Sequence, residues 1–368
     1  SSILNSYGAF FSPAFSPVLL NLVMIAGAWW LTPYLQTPIM SLGWAVLAAG
    51  FIQLAIQIPE LWRKKLLIPP RIDFQHEGVQ RILKLMLPAL FGVSVTQINL
   101  LLNTIWASFM QSGSVSWLYS AERMTELPLG LIGVAIGTVI LPSLSARHAE
   151  QDLERFRGMI DWAARVIIMV GVPASVALFM LSTPIIQTLF QRGEFTAEDT
   201  HMTALALQCM SGGVLAFMLI KVFAPGFYAQ QDTKTPVRVG LMAVAANAII
   251  NVILISFFKM IHWNAEHMAL GIASSSSAFV NAGMLYYYLH KRNIYRFGSH
   301  WKKIFAQYAF ANLCMIGALA YGLHFYSSHA STWMKIAELS GLCVVGALAY
   351  AVGLLLSGFR PRHLRPEH

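Results

Sequence analysis

Long apolar runs, separated by short breaks that are polar or contain proline or glycine, dominate the pattern of side chains along this chain. A helix needs about 20 mostly apolar residues to cross the hydrocarbon core of a membrane. Runs of about this length extend from Ala14 to Pro33, Met40 to Trp62, Leu85 to Met110, Ser116 to Leu141, Ala163 to Phe190, Met202 to Tyr228, Val239 to Phe258, Met268 to Leu289, Ile304 to Phe325 and Ile336 to Leu356. A membrane barrel would show strict alternation instead. The pattern predicts an all-α polytopic membrane protein with about ten transmembrane helices.

Composition supports the membrane as the solvent. The 368 residues are 57% apolar and only 11% charged, whereas a soluble domain carries about 25% charged residues. The composition therefore disfavours soluble enzymes, nucleic-acid binders and secreted disulfide scaffolds. Cys209, Cys314 and Cys343 each lie inside an apolar run without CxxC spacing, so neither a metal site nor a disulfide framework is indicated.

The positions of the basic residues predict the orientation. Most of the 25 lysines and arginines lie in the loops on one side, whereas the opposite loops hold Arg192, Lys259 and Lys335. By the positive-inside rule, the basic side is cytoplasmic. Both ends of this chain are therefore expected in the cytoplasm, and the net charge of +9 is explained by topology without nucleic acid.

Two segments outside the apolar runs bear on the organisation of the chain. The start lacks a methionine and a basic leader region and runs directly into Pro13 and Pro17, so we expect the chain to begin partway through a longer protein. The longest cytoplasmic connection, residues 63–84, contains an amphipathic piece. It is predicted to be a linker that lies on the membrane surface between two helical bundles.

A charged cluster interrupts the fourth apolar run. Glu122 and Glu126 are four residues apart and share a helix face, and Arg123 can pair with Glu126 three residues later. Each of these groups would cost at least about 2.5 kcal/mol if it faced lipid. The favoured interpretation is an arginine that grips an anion beside two carboxylates. The alternative is an internal ion pair that only fixes helix packing.

Amide and hydroxyl side chains recur in three other runs. Asn99 and Asn103 lie in the third run, Asn247 and Asn251 in the seventh, and Ser275 in a row of four serines in the eighth. Their oxygens could line a polar cavity or a small cation site, because hard cations take oxygen ligands. The alternative is interhelical hydrogen bonding, which asparagine and serine commonly provide.

Lys221 lies within the sixth apolar run, near its cytoplasmic end. Two interpretations stay open: the side chain binds an anionic substrate, or it extends along the helix to the headgroups. No enzyme signature, such as HExxH or a Ser/His/Asp grouping, accompanies these residues, so no catalytic residue, cofactor or metal is predicted.

Three segments resemble one known family. They are SGSVSWLYSAERMTELPLGLIGVAIGTVILPSLS, LFQRGEFTAEDT and KVFAPGFYAQQDTKTPVR, in this order. They are similar to the MurJ (MviN) family of lipid II flippases, within the multidrug/oligosaccharidyl-lipid/polysaccharide exporter superfamily, and the similarity covers essentially the whole chain. The resemblance implies a fourteen-helix fold of two lobes around a cationic cavity. The ten predicted spans would correspond to helices five to fourteen of that fold.

The resemblance also implies a division of the chain. Residues 1–62 would end the N-terminal lobe with two helices, and 63–84 would be the linker. Residues 85–289 would form the six-helix C-terminal lobe, 290–357 two helices that shape a groove for a lipid tail, and 358–368 a basic cytoplasmic tail. Tyr308, Asn312 and Tyr321 are expected to line the groove.

The resemblance also implies roles for individual residues of this chain. Arg123 matches the cavity arginine of the family's eighth helix, with Glu122 and Glu126 as its acidic neighbours, and Lys221 is a further candidate for substrate binding. The resemblance implies that Arg123 binds the pyrophosphate of lipid II, the undecaprenyl-pyrophosphate-linked disaccharide-pentapeptide. Some members hold sodium on helices seven and eleven. The candidate positions here, Asn99 or Asn103 and Asn247 with Asn251, lack any carboxylate, which argues against a sodium site and leaves coupling to protons or membrane potential open.

The expected function is transport of lipid II across the bacterial inner membrane by alternating access, for cell-wall synthesis. Expected partners are lipid II, membrane lipids, and cell-wall synthesis and division proteins. Two alternatives are retained: another exporter of the superfamily, for a drug or a polyprenyl-linked glycan, and a membrane scaffold that does not transport. A drug-cation exporter would need an acidic cavity, which Arg123 and Lys221 disfavour.

Overall fold

The computed structural model describes residues 11–64, 79–80, 97–327 and 331–359. The chain divides into two compact units, Ser1–Lys84 and Leu85–His368, and each is described by itself. Within the described residues, every regular element is a helix, which confirms the all-α prediction.

Nine helices among the described residues are long and apolar enough to cross a membrane: Phe15–Tyr34, Met40–Arg63, Ser114–Ala149, Leu153–Met180, Ala197–Tyr228, Lys234–Met260, Met268–Lys291, Trp301–Leu323 and Thr332–Leu356. Each overlaps one of the predicted spans. The remaining predicted span, Leu85 to Met110, begins outside the described residues, and residues 97–108 of it form a helix.

The first unit holds two packed helices. Helix α1 (Phe11–Ala26) continues through a π-helical turn (Gly27–Leu31) and a 3₁₀ turn, and α2 (Met40–Arg63) follows. Gln53 Nε2 donates to the carbonyl oxygen of Ser16 at 2.8 Å, and Gln57 Nε2 donates to the Ser16 hydroxyl at 3.2 Å. Such polar contacts join helices in lipid, where apolar contact alone gives little preference for a neighbouring helix.

The second unit contains the remaining helices. They are α3 (97–108), α4 (Ser114–Pro128), α5 (Ala135–Ala149), α6 (Leu153–Met180), α7 (Ser182–Leu189), α8 (Ala197–Ser211), α9 (Val214–Tyr228), α10 (Lys234–Met260), α11 (Met268–Lys291), α12 (Trp301–Leu323) and α13 (Thr332–Leu356). A π-helical segment, Leu129–Val134, joins α4 to α5. The apolar core lies where α5, α6, α9 and α11 meet.

The fifth span differs from its predicted limits, which were Ala163 to Phe190. Helix α6 begins ten residues earlier, at Leu153, where the Asp152 side chain accepts a hydrogen bond from the Arg155 amide at 3.0 Å. It ends at Met180, and α7 is a separate short helix. Pro184 explains the break, because its ring would clash with the carbonyl four residues earlier in a continuous helix.

The start of the sixth span was also predicted too late, at Met202. Helix α8 begins at Ala197 because Thr196 and Asp199 form a capping box, in which each side chain bonds to the other's backbone amide. A polar helix start of this kind lies outside an apolar run, so counting apolar residues misses it.

Helices α12 and α13 form a pair that packs against α6. Gly353 of α13 allows close approach, because a Cβ atom there would lie 2.8 Å from the Cα of Ala311 on α12. The Tyr350 hydroxyl donates to the carbonyl oxygen of Met169 on α6 at 2.6 Å. These contacts attach the helix pair to the core of the unit.

Asp161 of α6 is the main polar attachment point for the start of α12. Its carboxylate accepts hydrogen bonds from Trp301 Nε1 at 2.6 Å, Arg165 Nε at 2.7 Å and the Tyr295 hydroxyl at 2.9 Å. His300 Nε2 lies 3.2 Å away. Asp161 is 7% exposed, so the carboxylate is buried but fully hydrogen-bonded, as buried charges must be.

A second polar link joins the loop before α10 to the end of α11. Asp232 accepts a hydrogen bond from the Thr235 hydroxyl at 2.6 Å and pairs with Arg292 Nη1 at 2.6 Å. Burial raises the pKa of Asp232, but the bonds from Thr235 and Arg292 outweigh it and lower the pKa to about 2. The carboxylate is therefore ionised at physiological pH.

Candidate functional site

A cavity of about 790 Å³ lies within the second unit, between α3, α4, α9, α10 and α11. Its size is within the range of ligand pockets in proteins. The walls are mostly apolar, and the polar side chains that line it are Asn99, Asn103, Thr104, Tyr119, Glu122, Thr125, Glu126, Lys221, Tyr228, Ser274, Ser277 and Asn281. Five of the residues predicted from sequence for a site therefore line one cavity: Asn99, Asn103, Glu122, Glu126 and Lys221.

Arg123 adjoins the cavity through two residues that line it. Its guanidinium donates from Nη1 to Glu126 Oε2 at 2.9 Å and from Nη2 to the Tyr119 hydroxyl at 2.7 Å. The guanidinium carbon also lies 4.8 Å from the centre of the Tyr119 ring. Arg123 itself is not among the residues that line the cavity.

The Arg123 and Glu126 side chains are 54% and 51% exposed, respectively, in this unit. A pair this accessible typically contributes only about 0 to 1 kcal/mol to stability in water. The exposure therefore favours the interpretation that Arg123 is available to an anion over the interpretation that the pair fixes helix packing.

Lys221 reaches the cavity from α9, whereas the carboxylates of Glu122 and Glu126 reach it from α4. Its side chain is exposed, and within the described part of the chain it forms no ion pair. The cavity therefore has an uncompensated cation on one wall and Glu122 and Glu126 on another. An anionic group of a ligand would find its strongest attraction at Lys221.

Three of the four asparagines predicted from sequence, together with Ser274, form one hydrogen-bonded chain across three helices. Asn251 Nδ2 of α10 donates to Asn247 Oδ1 at 2.9 Å and to Asn103 Oδ1 of α3 at 3.3 Å. Asn103 Nδ2 donates in turn to the Ser274 hydroxyl of α11 at 3.1 Å. Asn247 and Asn251 are buried, whereas Asn99 and Asn103 line the cavity. Among the residues that the structure describes, no His, Cys, Asp and Glu side chains cluster as metal ligands would.

Ser275 lies away from the cavity. Its hydroxyl donates to the carbonyl oxygen of Cys209 at 2.7 Å, which joins α11 to α8. Ser274 and Ser277 line the cavity instead. Helical spacing could have identified them, because residues three apart share a helix face and their immediate neighbour does not.

The three residues expected in a lipid-tail groove differ in environment. Tyr308 is 2% exposed, and its hydroxyl donates to the carbonyl oxygen of Arg165 at 3.4 Å. Asn312 is also buried, and its Nδ2 donates to the carbonyl oxygen of Tyr308 at 2.8 Å. The Tyr321 ring is 73% exposed and contacts Phe325. Of the three, Tyr321 alone offers surface to a lipid chain in this conformation.

Tyr119, Tyr228 and Asn281 are among the polar residues of the cavity that sequence reasoning missed. Tyr119 precedes Arg123 by four residues, a spacing that places the two side chains together on one helix face. That signal was present in the sequence. Tyr228 and Asn281 carry no comparable local signal, because only the packing of α9 against α11 brings them to the cavity.

Known proteins resemble the chain over nearly its whole length. The family model described as "Lipid II flippase MurJ" matches residues 1–340. The probable lipid II flippase MurJ of Vibrio cholerae is 41% identical over 370 residues, which cover 99% of this chain and 68% of that protein. The probable lipid II flippase MurJ of Haemophilus influenzae is 40% identical over 375 residues, which cover 99% of this chain and 71% of that protein.

A solved structure supports the fold. It is described as the lipid II flippase MurJ in an inward closed conformation, and it superposes with a TM-score of 0.76 at 24% sequence identity. The match covers 99% of this chain and 70% of that structure's chain. The helical arrangement of this chain is thus that of a known flippase fold.

Proposed function

The chain belongs to the lipid II flippase MurJ family, and from this premise we propose that it carries lipid II from the cytoplasmic to the periplasmic leaflet of the inner membrane. It is a multi-pass membrane protein and a transporter, not an enzyme. The observation that carries the proposal is a cavity of about 790 Å³ in which the cationic Lys221 has no described ion-pair partner.

The chemistry of the substrate fits this cavity. Lipid II carries a pyrophosphate between its lipid tail and its sugars, so a polar cavity must compensate negative charge while the headgroup crosses. Lys221 supplies a compact cation on one wall. Arg123 supplies a planar guanidinium that can hold two phosphate oxygens at once. Both charges are needed to offset a diphosphate in a site of reduced dielectric.

Arg123 has to change partners for this role. In the structure its guanidinium is bound to Glu126 and Tyr119, which both line the cavity. We propose that the pyrophosphate replaces Glu126 as the acceptor when the headgroup enters. An exposed ion pair is weak enough for this exchange, because water and a stronger anion compete with it.

The remaining parts of the proposal concern lipid, coupling and partners. Alternating access moves the headgroup through the cavity, while the tail stays in lipid beside α12 and α13, where the exposed Tyr321 lies.

The amide chain of Asn103, Asn247 and Asn251 contains no carboxylate, which favours coupling to protons or membrane potential over sodium. An association with cell-wall synthesis and division proteins stays a prediction.

The proposed function is tested in cells and with purified protein. In a strain depleted of its own lipid II flippase, the complete gene that encodes this chain is expected to restore growth. In vesicles that contain the purified protein, fluorescent lipid II is expected to become accessible in the opposite leaflet. A scaffold or an exporter of another substrate would restore neither growth in this strain nor movement of lipid II in vesicles.

Lys221→Ala is expected to reduce lipid II transport about tenfold, the loss that corresponds to about 1.4 kcal/mol for one charge-assisted contact. Lys221→Arg should retain most of the activity because the charge is kept. Transport in vesicles measures both. Lys259→Ala, at the end of α10 and outside the cavity, is the matched control. Full activity of Lys221→Ala would support the interpretation that the lysine only extends to the headgroups.

We further propose that the basic loops are cytoplasmic and that both ends of this chain lie inside. Helix α11, from Met268 to Lys291, rises about 36 Å over its 24 residues, so its two ends lie on opposite membrane faces. In a variant without Cys209, Cys314 and Cys343, we expect a membrane-impermeant thiol reagent to label cysteine at position 259 and not at position 291. Labelling at position 291 in intact cells would reverse the orientation.

A further inference from the structure

A second cavity of about 420 Å³ lies where α6 begins, α11 ends and α12 begins. It shares no residue with the cavity described above. Arg157, His290, Arg296 and His300 contribute to its walls, together with Asp161 and Tyr295. The walls therefore carry two permanent cations, and the only carboxylate among these six residues is that of Asp161.

The charge of Asp161 is already compensated. Arg165 Nη2 lies 2.5 Å from its Oδ2, and Trp301 and Tyr295 donate to its Oδ1 at 2.6 and 2.9 Å. The carboxylate therefore has little capacity left to neutralise the cavity's arginines. Among the described residues, neither Arg157 nor Arg296 forms an ion pair.

Arg157 is fixed in place without losing its charge. Its Nε donates to the carbonyl oxygen of Ile294 at 3.1 Å, and its Nη2 donates to that of Asn293 at 2.5 Å. Both acceptors are neutral, so the guanidinium stays an uncompensated cation. The bonds hold it at the cavity wall, which lowers the entropy cost of binding an anion there. Arg296 lies in the loop that also contains Asn293 and Ile294, and its side chain is exposed at the cavity.

The ends of three spans meet at this cavity and indicate its depth in the membrane. The candidate spans Leu153–Met180 and Trp301–Leu323 begin beside it, and Met268–Lys291 ends there. The buried rings of Tyr295 and Trp301 pack behind it. Because a span is about as long as the hydrocarbon core is thick, its ends lie at the level of the lipid headgroups, where phosphate groups are concentrated.

We propose that this second cavity binds a phosphate-ester anion, through Arg157 and Arg296. Two sources offer this chemistry at such a location: the headgroup of an anionic phospholipid and a soluble phosphate ester of the cytoplasm. Basic pockets between membrane helices commonly hold phosphate headgroups. The site is separate from the transport cavity, because none of its residues lines that cavity.

Binding is measured on the purified protein in neutral detergent, with native mass spectrometry for phosphatidylglycerol and calorimetry for glycerol 3-phosphate. Arg296→Gln is expected to weaken binding at least about tenfold, the effect of one charge-assisted hydrogen bond. Its side chain is exposed, so the thermal midpoint of unfolding should stay unchanged. Lys302→Gln is the matched control, because it removes the same charge from an exposed residue that does not line the cavity.

The possible outcomes distinguish the two sources of the phosphate group, and they distinguish a specific site from diffuse attraction. If phosphatidylglycerol binds, glycerol 3-phosphate does not, and Arg296→Gln weakens the binding, the ligand is a lipid headgroup. Binding of glycerol 3-phosphate with the same sensitivity would establish a soluble ester. Equal losses in Arg296→Gln and Lys302→Gln would mean diffuse attraction and would overturn the proposal, as would an absence of binding by both probes.

Discussion

Arg123→Ala is expected to reduce lipid II transport by about tenfold to a hundredfold while the protein stays inserted at normal levels. The range corresponds to about 1.5 to 3 kcal/mol, the contribution of a hydrogen bond to a charged group. Arg123→Lys should restore part of the activity, because an ammonium group keeps the charge but not the two parallel hydrogen bonds. Transport in vesicles and membrane abundance are measured for each variant.

Arg147→Ala is the matched control for this prediction. Arg147 pairs with Glu150 at the same spacing and the same distance of 2.9 Å as Arg123 with Glu126, but it does not line the transport cavity. Its removal should leave transport and abundance unchanged. If Arg123→Ala instead lowers abundance, and the double change with Glu126→Ala restores both abundance and transport, Arg123 serves packing and not the substrate.

Asp161→Ala is expected to lower the free energy of unfolding by about 3 to 5 kcal/mol, the usual cost of removing one partner from a buried ion pair. The change leaves the Arg165 guanidinium, only 25% exposed, without its carboxylate, and it removes the acceptor of the buried Trp301 and Tyr295 donors. Thermal unfolding of the purified protein and its abundance in membranes measure the effect.

Asp152→Asn provides the comparison on the same helix. Asp152 caps the start of α6 by accepting a hydrogen bond from the Arg155 amide, and asparagine is about as good a cap as aspartate. That variant should therefore differ from the original protein by less than about 1 kcal/mol. A midpoint for Asp161→Ala equal to that of Asp152→Asn would contradict the role of Asp161 as the attachment point of α12.

The sequence alone is enough to predict the spans and the charged cluster of α4, because both depend on neighbours in the chain. Apolar runs identify lipid-facing helices without knowledge of their partners. The spacing of Glu122, Arg123 and Glu126 places the ion pair on one helix. The start of α8 was missed because a capping box is polar, and the end of α6 because a single proline defines it.

Contacts between distant segments lie beyond this kind of prediction. Asp161 meets Tyr295 and Trp301 across 134 and 140 positions of sequence, and no local pattern marks such partners. The same reason applies to Lys221. Its distance from the helix end left two interpretations open, and only the packing of α9 against α10 and α11 brings it to the cavity wall.

The π-helical segment Leu129–Val134 sets the rotational phase of everything that follows it in the same span. In an uninterrupted α-helix, Ile136 would point about 80° away from Glu126 around the axis, because each residue advances the helix by about 100°. A π-bulge adds one residue without adding rotation, which moves Ile136 to roughly the opposite side. One membrane span can therefore present its carboxylates to a wet cavity in one half and bury Ile136, Ile140 and Leu144 in the apolar core in the other.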